Sequence, residues 1–361
     1  MIDQSVTQGV RVIPAADADR DRWDAFVAAR PEGDPLQMWS WGTCAALAGE
    51  PPVRLVAETV EGRVRGVAQA LVRAAGMGRS IAYVAHGPVW EREADDADRL
   101  VGALLDGLRQ LGTLERAIVV KLDPRAAGDD AQAVAGVLGG YGLRRAPDLQ
   151  APTTRIVDLL DGGEALMAAW HADARRLSRR SEREGVEVTI DRSGDRDALA
   201  VFHHLLEVTA ERAEFRIRDL AFLEGLAAVY AAADGWYLGI ARVDGTPIAG
   251  MAMPRIGERA YYLYGASLRD DVYKHKYGAY AVMAAMQRQL AADGVRQLDM
   301  WGVVEADDES ADPAWRGFSA FKRTFGGTPL RQPGTFDLVI DRRWDALREA
   351  RAALLRLLGR G

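Results

Sequence analysis

The feature that most limits the possible folds is an internal repeat, in which both halves of the chain show the same order of elements. In the first half, a hairpin pattern (VRLVAETV, a turn and RVRGVAQALV) precedes the strand pattern IAYVAHGP, an amphipathic helix and the buried strand pattern AIVVKLDP. In the second half, WYLGIARV and TPIAGMAM form the hairpin pattern, and AYYLYGAS, a helix and VRQLDMWGV follow. Three pairs of glycines occupy matching positions in the two copies: Gly66 and Gly250, Gly87 and Gly265, and Gly112 and Gly294. The repeat therefore predicts a duplicated α/β domain.

The repeated order is that of a GNAT-type acyltransferase core. We expect an α/β fold with two tandem GNAT-like domains related by internal duplication, each with a mixed sheet flanked by helices. The stretch APDLQAPT, which is rich in proline and polar residues, predicts a boundary between them. The first domain is predicted to comprise residues 1–152 together with a C-terminal helix at 338–361, and the second to comprise residues 153–337.

Composition excludes several kinds of site and location. The single cysteine, Cys44, allows neither a disulfide framework nor a cysteine-based metal site. The five histidines form no H-x-x-x-H pair, so no metal is expected. The N-terminal segment shows no signal-peptide pattern, and no apolar run approaches the length of a membrane-spanning helix. We therefore expect a cytoplasmic protein, in which a peripheral contact with the inner face of the membrane remains open.

A cationic stripe is predicted on the helix that begins near HADARRLSRRSEREG. Five arginines recur there at helical spacing in a chain whose net charge is −6: Arg175, Arg176, Arg179, Arg180 and Arg183. Such a stripe forms either a solvated helix face with i,i+4 ion pairs or a contact for a phosphate backbone. It keeps open the hypothesis of a non-catalytic RNA-binding protein.

A CoA-dependent member of the GNAT class usually carries Q/R-x-x-G-x-G/A at the start of its long helix, where backbone N–H groups hold a pyrophosphate. The corresponding stretches here, YKHKYGAYA and the acidic EREADDADR, do not match. CoA is therefore not favoured as the acyl donor. A CoA-dependent N-acyltransferase remains an alternative hypothesis.

The segment SAFKRTFGG is the most specific stretch of the chain. Only four of the 46 basic residues are lysines, and Lys322 lies in this segment between Phe321 and Phe325. The two phenylalanines and Gly326 are also typical of an ordinary helix end with a glycine cap. That structural interpretation does not explain why a lysine occupies position 322.

Five further stretches accompany SAFKRTFGG, namely LQMWSWG, ARRLSRRSEREGVEV, TAERAEF, YGASLRDDVYKHKYGAYAV and LDMWGV. With these stretches, the chain resembles the FemABX family of aminoacyltransferases. The resemblance covers nearly the whole chain and is to the compact type, without a coiled-coil arm. It implies transfer of an amino acid from aminoacyl-tRNA to an amine of a peptidoglycan stem peptide. It also implies that aminoacyl-tRNA is a co-substrate and that no further cofactor is needed. We expect the protein to be a monomer.

The resemblance also implies roles for individual residues. Lys322 corresponds to the catalytic lysine that stabilises the oxyanion. Asp123 corresponds to an acidic position proposed as a base, although it is also placed to cap the end of a strand before Pro124. Phe321 is expected to stack near the terminal adenosine of the tRNA. Phe325 and the arginines at 175, 176, 179 and 180 are also assigned to tRNA binding.

Positions for the acceptor substrate follow from the same resemblance. These substrate-binding candidates are Gln37, Trp41, Thr209, Arg212 and Tyr273. The family's N-terminal motif continues with a serine and a phosphate-binding lysine, where this chain has Met38 and Ala45. That departure favours a lipid-linked precursor over a UDP-linked one.

The C-terminal helix pattern WDALREARAALLRLL is amphipathic. Its apolar residues, Trp344, Leu347, Leu354, Leu355 and Leu358, are predicted on one face, with arginines on the other. Packing of this face against the first domain is favoured, and contact with a membrane surface is the alternative.

Overall fold

A computed structural model describes residues 9–126, 129–159, 163–213, 216–305 and 313–357. The strands, in chain order, are β1 (Val10–Pro14), β2 (Pro52–Thr59), β3 (Val64–Gly76), β4 (Arg79–Val84), β5 (Val89–Trp90), β6 (Ala117–Leu122), β7 (Arg144–Arg145), β8 (Thr153–Asp158), β9 (Glu187–Asp191), β10 (Trp236–Val243), β11 (Thr246–Ile256), β12 (Arg259–Tyr261), β13 (Tyr264–Ser267), β14 (Gln297–Gly302), β15 (Thr328–Arg331) and β16 (Phe336–Val339). The α-helices are α1 (Arg20–Ala28), α2 (Trp39–Leu47), α3 (Ala97–Leu114), α4 (Asp129–Gly140), α5 (Gly163–Ala169), α6 (Ala172–Arg183), α7 (Arg196–Ala213), α8 (Leu220–Ala232), α9 (Gly278–Ala292), α10 (Pro313–Thr324) and α11 (Arg342–Leu357).

The chain divides into two compact units, Met1–Gln150 with Gln332–Gly361, and Ala151–Arg331. Residues 332–337, which the sequence predicts in the second domain, lie in the first unit. The reason is strand pairing: β16 lies antiparallel to β6, with Phe336 opposite Leu122. The strand therefore returns the chain to the first sheet before α11 begins.

The first unit is built on the sheet β1-β2-β3-β4-β6-β16-β7, with β5 paired to β3. Strands β4 and β6 are parallel, and the other pairs are antiparallel. Helix α3 packs on this sheet through a fully buried leucine stripe that includes Leu104 and Leu108. The predicted hairpin–strand–helix–strand order is confirmed here by β2, β3, β4, α3 and β6.

The second unit repeats this plan. Its sheet runs β15-β8-β14-β12-β11-β10-β9, and β13 pairs with β11. Strand β12 lies parallel to β14 from Arg259 to Tyr261. Beyond Tyr261, however, β13 pairs only with β11, so the parallel pair ends there. The ends of β12 and β14 therefore face a break in the sheet, and the candidate site lies at this break.

The expectation that the whole apolar face of α11 packs against the first domain is wrong in part. Trp344 and Leu355 are half-buried against the first unit, whereas Leu347 and Leu354 are exposed to solvent. Leu358 lies outside the described residues. In the part of the chain that the structure describes, no helix is long and apolar enough to cross a membrane.

Candidate functional site

Lys322 lies in the last turn of α10 and is almost completely buried. Its Nζ donates a hydrogen bond of 2.9 Å to the carbonyl oxygen of Gly302, the last residue of β14. The faces of the Tyr262 and Phe318 rings lie 5.0 Å from the same nitrogen, measured to each ring centroid. Burial lowers the pKa of Lys322 to about 7, although the nearby Asp299 carboxylate acts in the opposite direction.

The carbonyl of Gly302 is placed by an irregularity in β14. The pairing of β14 with β8 shifts register between Asp299 and Gly302, and Trp301 has a φ of +59°. The Asp299 carboxylate stabilises this bulge, because it accepts hydrogen bonds from the backbone N–H of Trp301 (2.7 Å) and from the hydroxyl of Thr154. The bulge thus turns the end of β14 toward Lys322.

Two further side chains of α10 attach the helix to the same stretch of backbone. The Ser319 hydroxyl accepts a hydrogen bond of 3.0 Å from the N–H of Val304, and Arg323 donates to the carbonyl of Val304. With Lys322, this makes three contacts between α10 and the stretch from Gly302, at the end of β14, to Val304. The position of the lysine is therefore set by the helix as a whole.

The aromatic residues of the FKRTFGG segment form part of the core of the second unit. Phe321 contacts Tyr280 and Phe325 edge-on, with ring centroids 5.0 and 5.3 Å apart, and Phe325 contacts Trp170 at 5.2 Å. Phe321 is only partly buried and retains some accessible surface. Phe325 has no exposed surface. The assignment of Phe325 to tRNA binding is therefore corrected to a core role, because a base cannot stack on an enclosed ring.

The first two arginines of the α6 stripe have partners within the unit. The guanidinium of Arg175 donates to the carbonyls of Trp170 and Ala168 and so caps the end of α5. The cap uses only one nitrogen of the guanidinium, so the assignment of Arg175 to tRNA binding stays a prediction. Arg176 is exposed and pairs with Asp173 at 2.8 Å, one turn earlier on the same helix.

The rest of the stripe faces solvent. Arg180 lies over the Tyr277 ring at 5.1 Å and pairs with Glu184 at 3.5 Å. Arg179 and Arg183 are exposed, and neither makes an ion pair within the described residues. The predicted cationic face is therefore present at the C-terminal end of α6, where the guanidinium groups of Arg179 and Arg183 form no ion pair within the described residues.

Two of the proposed acceptor-binding residues lie together on α7. The hydroxyl of Thr209 accepts a hydrogen bond from the N–H of Ser267, and Arg212 donates to the carbonyl of the same residue, at 3.2 and 3.0 Å. Tyr273 lies in the turn after β13 and is partly buried against the core. Within the second unit, Thr209 and Arg212 thus meet at the end of β13.

Asp123 lies in the first unit, immediately after β6. Its carboxylate accepts hydrogen bonds of 2.6 Å from the Tyr83 hydroxyl and from the backbone N–H of His86. Burial raises the pKa of Asp123 to about 6, against the lowering effect of His86. The His86 ring in turn lies 2.9 Å from Asp34, which also pairs with Arg125 at 2.8 Å. Asp123 therefore belongs to a buried polar network that orders the segment after β4.

Gln37 is also held by buried hydrogen bonds in the first unit. Its fully buried amide accepts from the N–H of Gln69 and donates to the carbonyls of Gln69 and Ala85. The Gln37 amide thus forms the backbone hydrogen bonds that a neighbouring strand would form, at a point where β3 has no strand partner on that side. Its assignment to substrate binding is corrected to this structural role, because every polar atom of the amide is already used. Trp41 is buried on α2.

One cluster of carboxylates among the described residues has the spacing of metal ligands, namely Asp337, Asp345 and Glu349. Lys121 pairs with Asp337 at 2.5 Å, and Arg144 pairs with Asp345 at 2.9 Å. Arg348 also contacts all three carboxylates. Because each carboxylate already faces a cation, the cluster is an ion-pair network that joins α11 to the first sheet.

Sequence reasoning missed Asp299, Thr154 and Tyr262. Asp299 lies within the LDMWGV motif, but its function depends on a bulge that has no sequence pattern. Tyr262 could have been found through the repeat: a side chain at Gly265 would collide with the Tyr262 ring, just as one at the matching Gly87 would collide with Gln37. Each glycine therefore makes room for a neighbouring side chain, Tyr262 in the second unit and Gln37 in the first.

Comparisons with known proteins agree with this architecture. A family model described as an acetyltransferase (GNAT) domain matches residues 169–323. The chain is 29% identical over 212 residues to the lipid II:glycine glycyltransferase of Staphylococcus aureus, a match that covers 56% of this chain. It spans about half the length, 49%, of the curated relatives it matches.

Solved structures show the same tandem fold. A crystal structure of FemX superimposes with a TM-score of 0.80 at 20% identity, covering 93% of this chain and 99% of that one. A tandem GNAT protein from the clavulanic acid biosynthesis pathway gives a TM-score of 0.56 at 11% identity, with 92% and 98% covered. The predicted fold of two GNAT-like domains with mixed sheets is confirmed.

Proposed function

Because the chain is a FemABX-type protein with two GNAT-like domains, we propose that it is an acyltransferase acting in peptidoglycan precursor synthesis. In the specific reaction, an amino acid passes from aminoacyl-tRNA to an amine of the precursor's stem peptide. The observation that carries the proposal is the buried Lys322, held at the break in the second sheet with its Nζ on the Gly302 carbonyl.

The chemistry requires oxyanion stabilisation more than a nucleophilic side chain. The acceptor amine attacks the ester carbonyl, a C–N bond forms and the bond to the ribose oxygen breaks. The amine proton passes to that departing oxygen. Negative charge develops on the carbonyl oxygen in between, and a buried ammonium stabilises such charge strongly because water is excluded. One N–H of Lys322 is bound to Gly302, so the remaining donors are available for the oxyanion.

The exposed end of the α6 stripe supports a nucleic-acid co-substrate. Arg179 and Arg183 lie on the same helix face, without acidic partners in the described structure. Arg180 and Arg176 extend this face, although each is partly neutralised. Guanidinium groups at such spacing suit the phosphates of an RNA backbone.

The acceptor proposed is a lipid-linked precursor. The S. aureus relative is named for transfer to lipid II. In this chain, the position of the family's phosphate-binding lysine is Ala45, which is buried, and Gln37 is fully engaged in the first sheet. Both observations count against a soluble UDP-linked acceptor bound at this motif. The protein is further proposed to act as a monomer at the inner face of the membrane.

The direct test is a reconstituted transfer assay. Purified protein is incubated with each of the twenty labelled aminoacyl-tRNAs and with lipid-linked or UDP-linked precursor, and amide product is measured with and without RNase. RNase-sensitive incorporation into the lipid-linked precursor is expected. Incorporation should be lost in Lys322→Met and retained in Lys274→Met, a surface lysine that pairs with Asp271. Absence of product with every tRNA would contradict the proposal.

A CoA-dependent N-acyltransferase is a second candidate, favoured by the acetyltransferase (GNAT) family model that matches residues 169–323. A rise in the unfolding temperature with acetyl-CoA, together with transfer in the absence of tRNA, would support it. Steeply salt-dependent RNA binding without any transfer product would instead indicate a non-catalytic RNA-binding protein.

A further inference from the structure

Helix α11 carries a solvent-exposed stripe on its outer side. At 100° per residue, Arg343, Leu347, Ala350, Arg351 and Leu354 share one face, which we call the α11 stripe. Leu347 and Leu354 are 61% and 56% exposed and lie two turns apart. The helix packs on the first unit through another face, which contains Trp344, Asp345 and Arg348.

The charges of the stripe have one sign. Arg343 and Arg351 are exposed and make no ion pair within the described residues. The acidic residues of the helix, Asp345 and Glu349, are already paired with Arg348. Single exposed leucines are ordinary on a protein surface, but two of them framed by unpaired arginines form an amphipathic surface.

More exposed apolar surface lies nearby in the same unit. Met77, at the tip of the hairpin between β3 and β4, is 79% exposed. Arg79, two residues on, lies over the Trp344 ring at 5.1 Å and pairs with Asp341 at 3.1 Å. The turn end of this hairpin is thus attached to the start of α11. The apolar tip and the stripe therefore belong to one end of the first unit.

We propose that the α11 stripe docks on an anionic lipid surface, with Leu347 and Leu354 entering the interface and Arg343 and Arg351 contacting lipid phosphates. A second copy of the chain suits the stripe less well. A two-fold interface would bring the arginines of the two stripes into one contact without an acidic partner on either stripe, and like charges oppose such a contact. The inference goes beyond the proposed transfer reaction and agrees with a lipid-linked acceptor, which lies in the membrane.

Sedimentation with lipid vesicles tests the inference on the full chain. The vesicles contain phosphatidylcholine alone or with phosphatidylglycerol at about one third, and neither tRNA nor precursor is present, so the outcome is independent of the transfer reaction. We expect binding to the anionic vesicles that decreases with salt. Each arginine near such a surface contributes roughly fivefold to the partition coefficient, so Arg343→Gln/Arg351→Gln should lower it roughly 25-fold.

The leucines are tested with a matched pair of variants. Leu347→Gln/Leu354→Gln should abolish binding to the anionic vesicles, whereas Leu47→Gln/Leu149→Gln, at exposed leucines elsewhere, should bind like the wild type. Thermal unfolding of all variants checks that they fold. The inference is overturned if the wild type does not bind, or if both leucine pairs behave alike. It is also overturned if the chain dimerises through the stripe and leaves the vesicles in solution.

Discussion

Replacing Lys322 with methionine should make the protein more stable and far less active at the same time. Methionine keeps the length of the side chain but removes the amine. In the wild type, burial lowers the pKa of this amine from 10.5 to about 7. A difference of that size corresponds to about 5 kcal/mol of unfavourable free energy for the charged form. A buried charge that lowers the free energy of unfolding so strongly is typical of a functional site.

The expected change in stability can be worked out from the contacts of Lys322. At pH 7 the variant avoids about 4 kcal/mol of the cost of burying the charge. It leaves the Gly302 carbonyl without its donor, which costs about 1–3 kcal/mol. The free energy of unfolding should therefore rise by about 1–3 kcal/mol at pH 7.

The pH dependence provides a sharper signature. Between pH 7 and 10.5 the unfolded chain holds a proton on Lys322 that the folded chain has lost. The wild type therefore gains stability as the pH rises, and the variant lacks this gain. The difference between the two proteins should shrink by about 2 kcal/mol from pH 7 to pH 9. Urea unfolding at both pH values, with Lys274→Met as the control variant, measures it.

Activity should change in the opposite direction. Loss of one oxyanion donor usually lowers kcat by about 10²–10³. In the reconstituted transfer assay, Lys322→Met should therefore be slower by that factor, and Lys274→Met should be unaffected. Turnover within threefold of the wild type would refute the oxyanion role. A variant that is less stable than the wild type, with the same pH dependence, would refute the argument from burial.

Three further predictions concern residues whose roles the structure redefines or supports. Gln37→Leu should lower the free energy of unfolding by about 2–4 kcal/mol, because buried backbone groups of β3 lose their partner; a raised KM with unchanged stability in urea would instead indicate a binding role. Asp123→Asn should remove a loss of stability of about 2 kcal/mol that the wild type shows as the pH rises from 4 to 6, because the pKa of the folded carboxyl lies above that of the unfolded one; an unchanged pH profile would contradict this. Arg179→Gln/Arg183→Gln should weaken RNA binding and reduce the slope of log K against log salt by about 1.4–1.8. The control Arg196→Gln, at an exposed arginine on α7, should leave the slope unchanged. Equal slopes for the double variant and the wild type would exclude α6 from the RNA contact.

The fold was open to sequence reasoning because its signals are local. Alternating and helical patterns of apolar residues identify strands and helices one at a time, and the repeat supplies their order twice. The boundary at residues 332–337 was missed for the opposite reason. The short strand β16 belongs to the first sheet through its pairing with β6, and that pairing joins positions more than 200 residues apart.

The candidate site divides in the same way. Lys322 stands out in the sequence because lysine is rare in this chain and the flanking motif is specific. The burial of Lys322 and its hydrogen bond to Gly302 depend on the docking of α10. They also depend on the bulge in β14, which the carboxylate of Asp299 stabilises. The roles of Gln37 and Phe325 were misassigned because a motif does not distinguish a side chain facing a cleft from one enclosed in the core.

The sequence by itself determined the duplicated α/β architecture, the helical stripe of arginines and the identity of the lysine to be tested. These features depend on periodicity and on residue type, which a linear pattern carries. Only the tertiary structure decided which arginines remain unpaired, which leucines of α11 are exposed, and that Lys322 has a lowered pKa. Each of these depends on what surrounds a side chain in space, since both burial and charge pairing arise from neighbours that are distant along the chain.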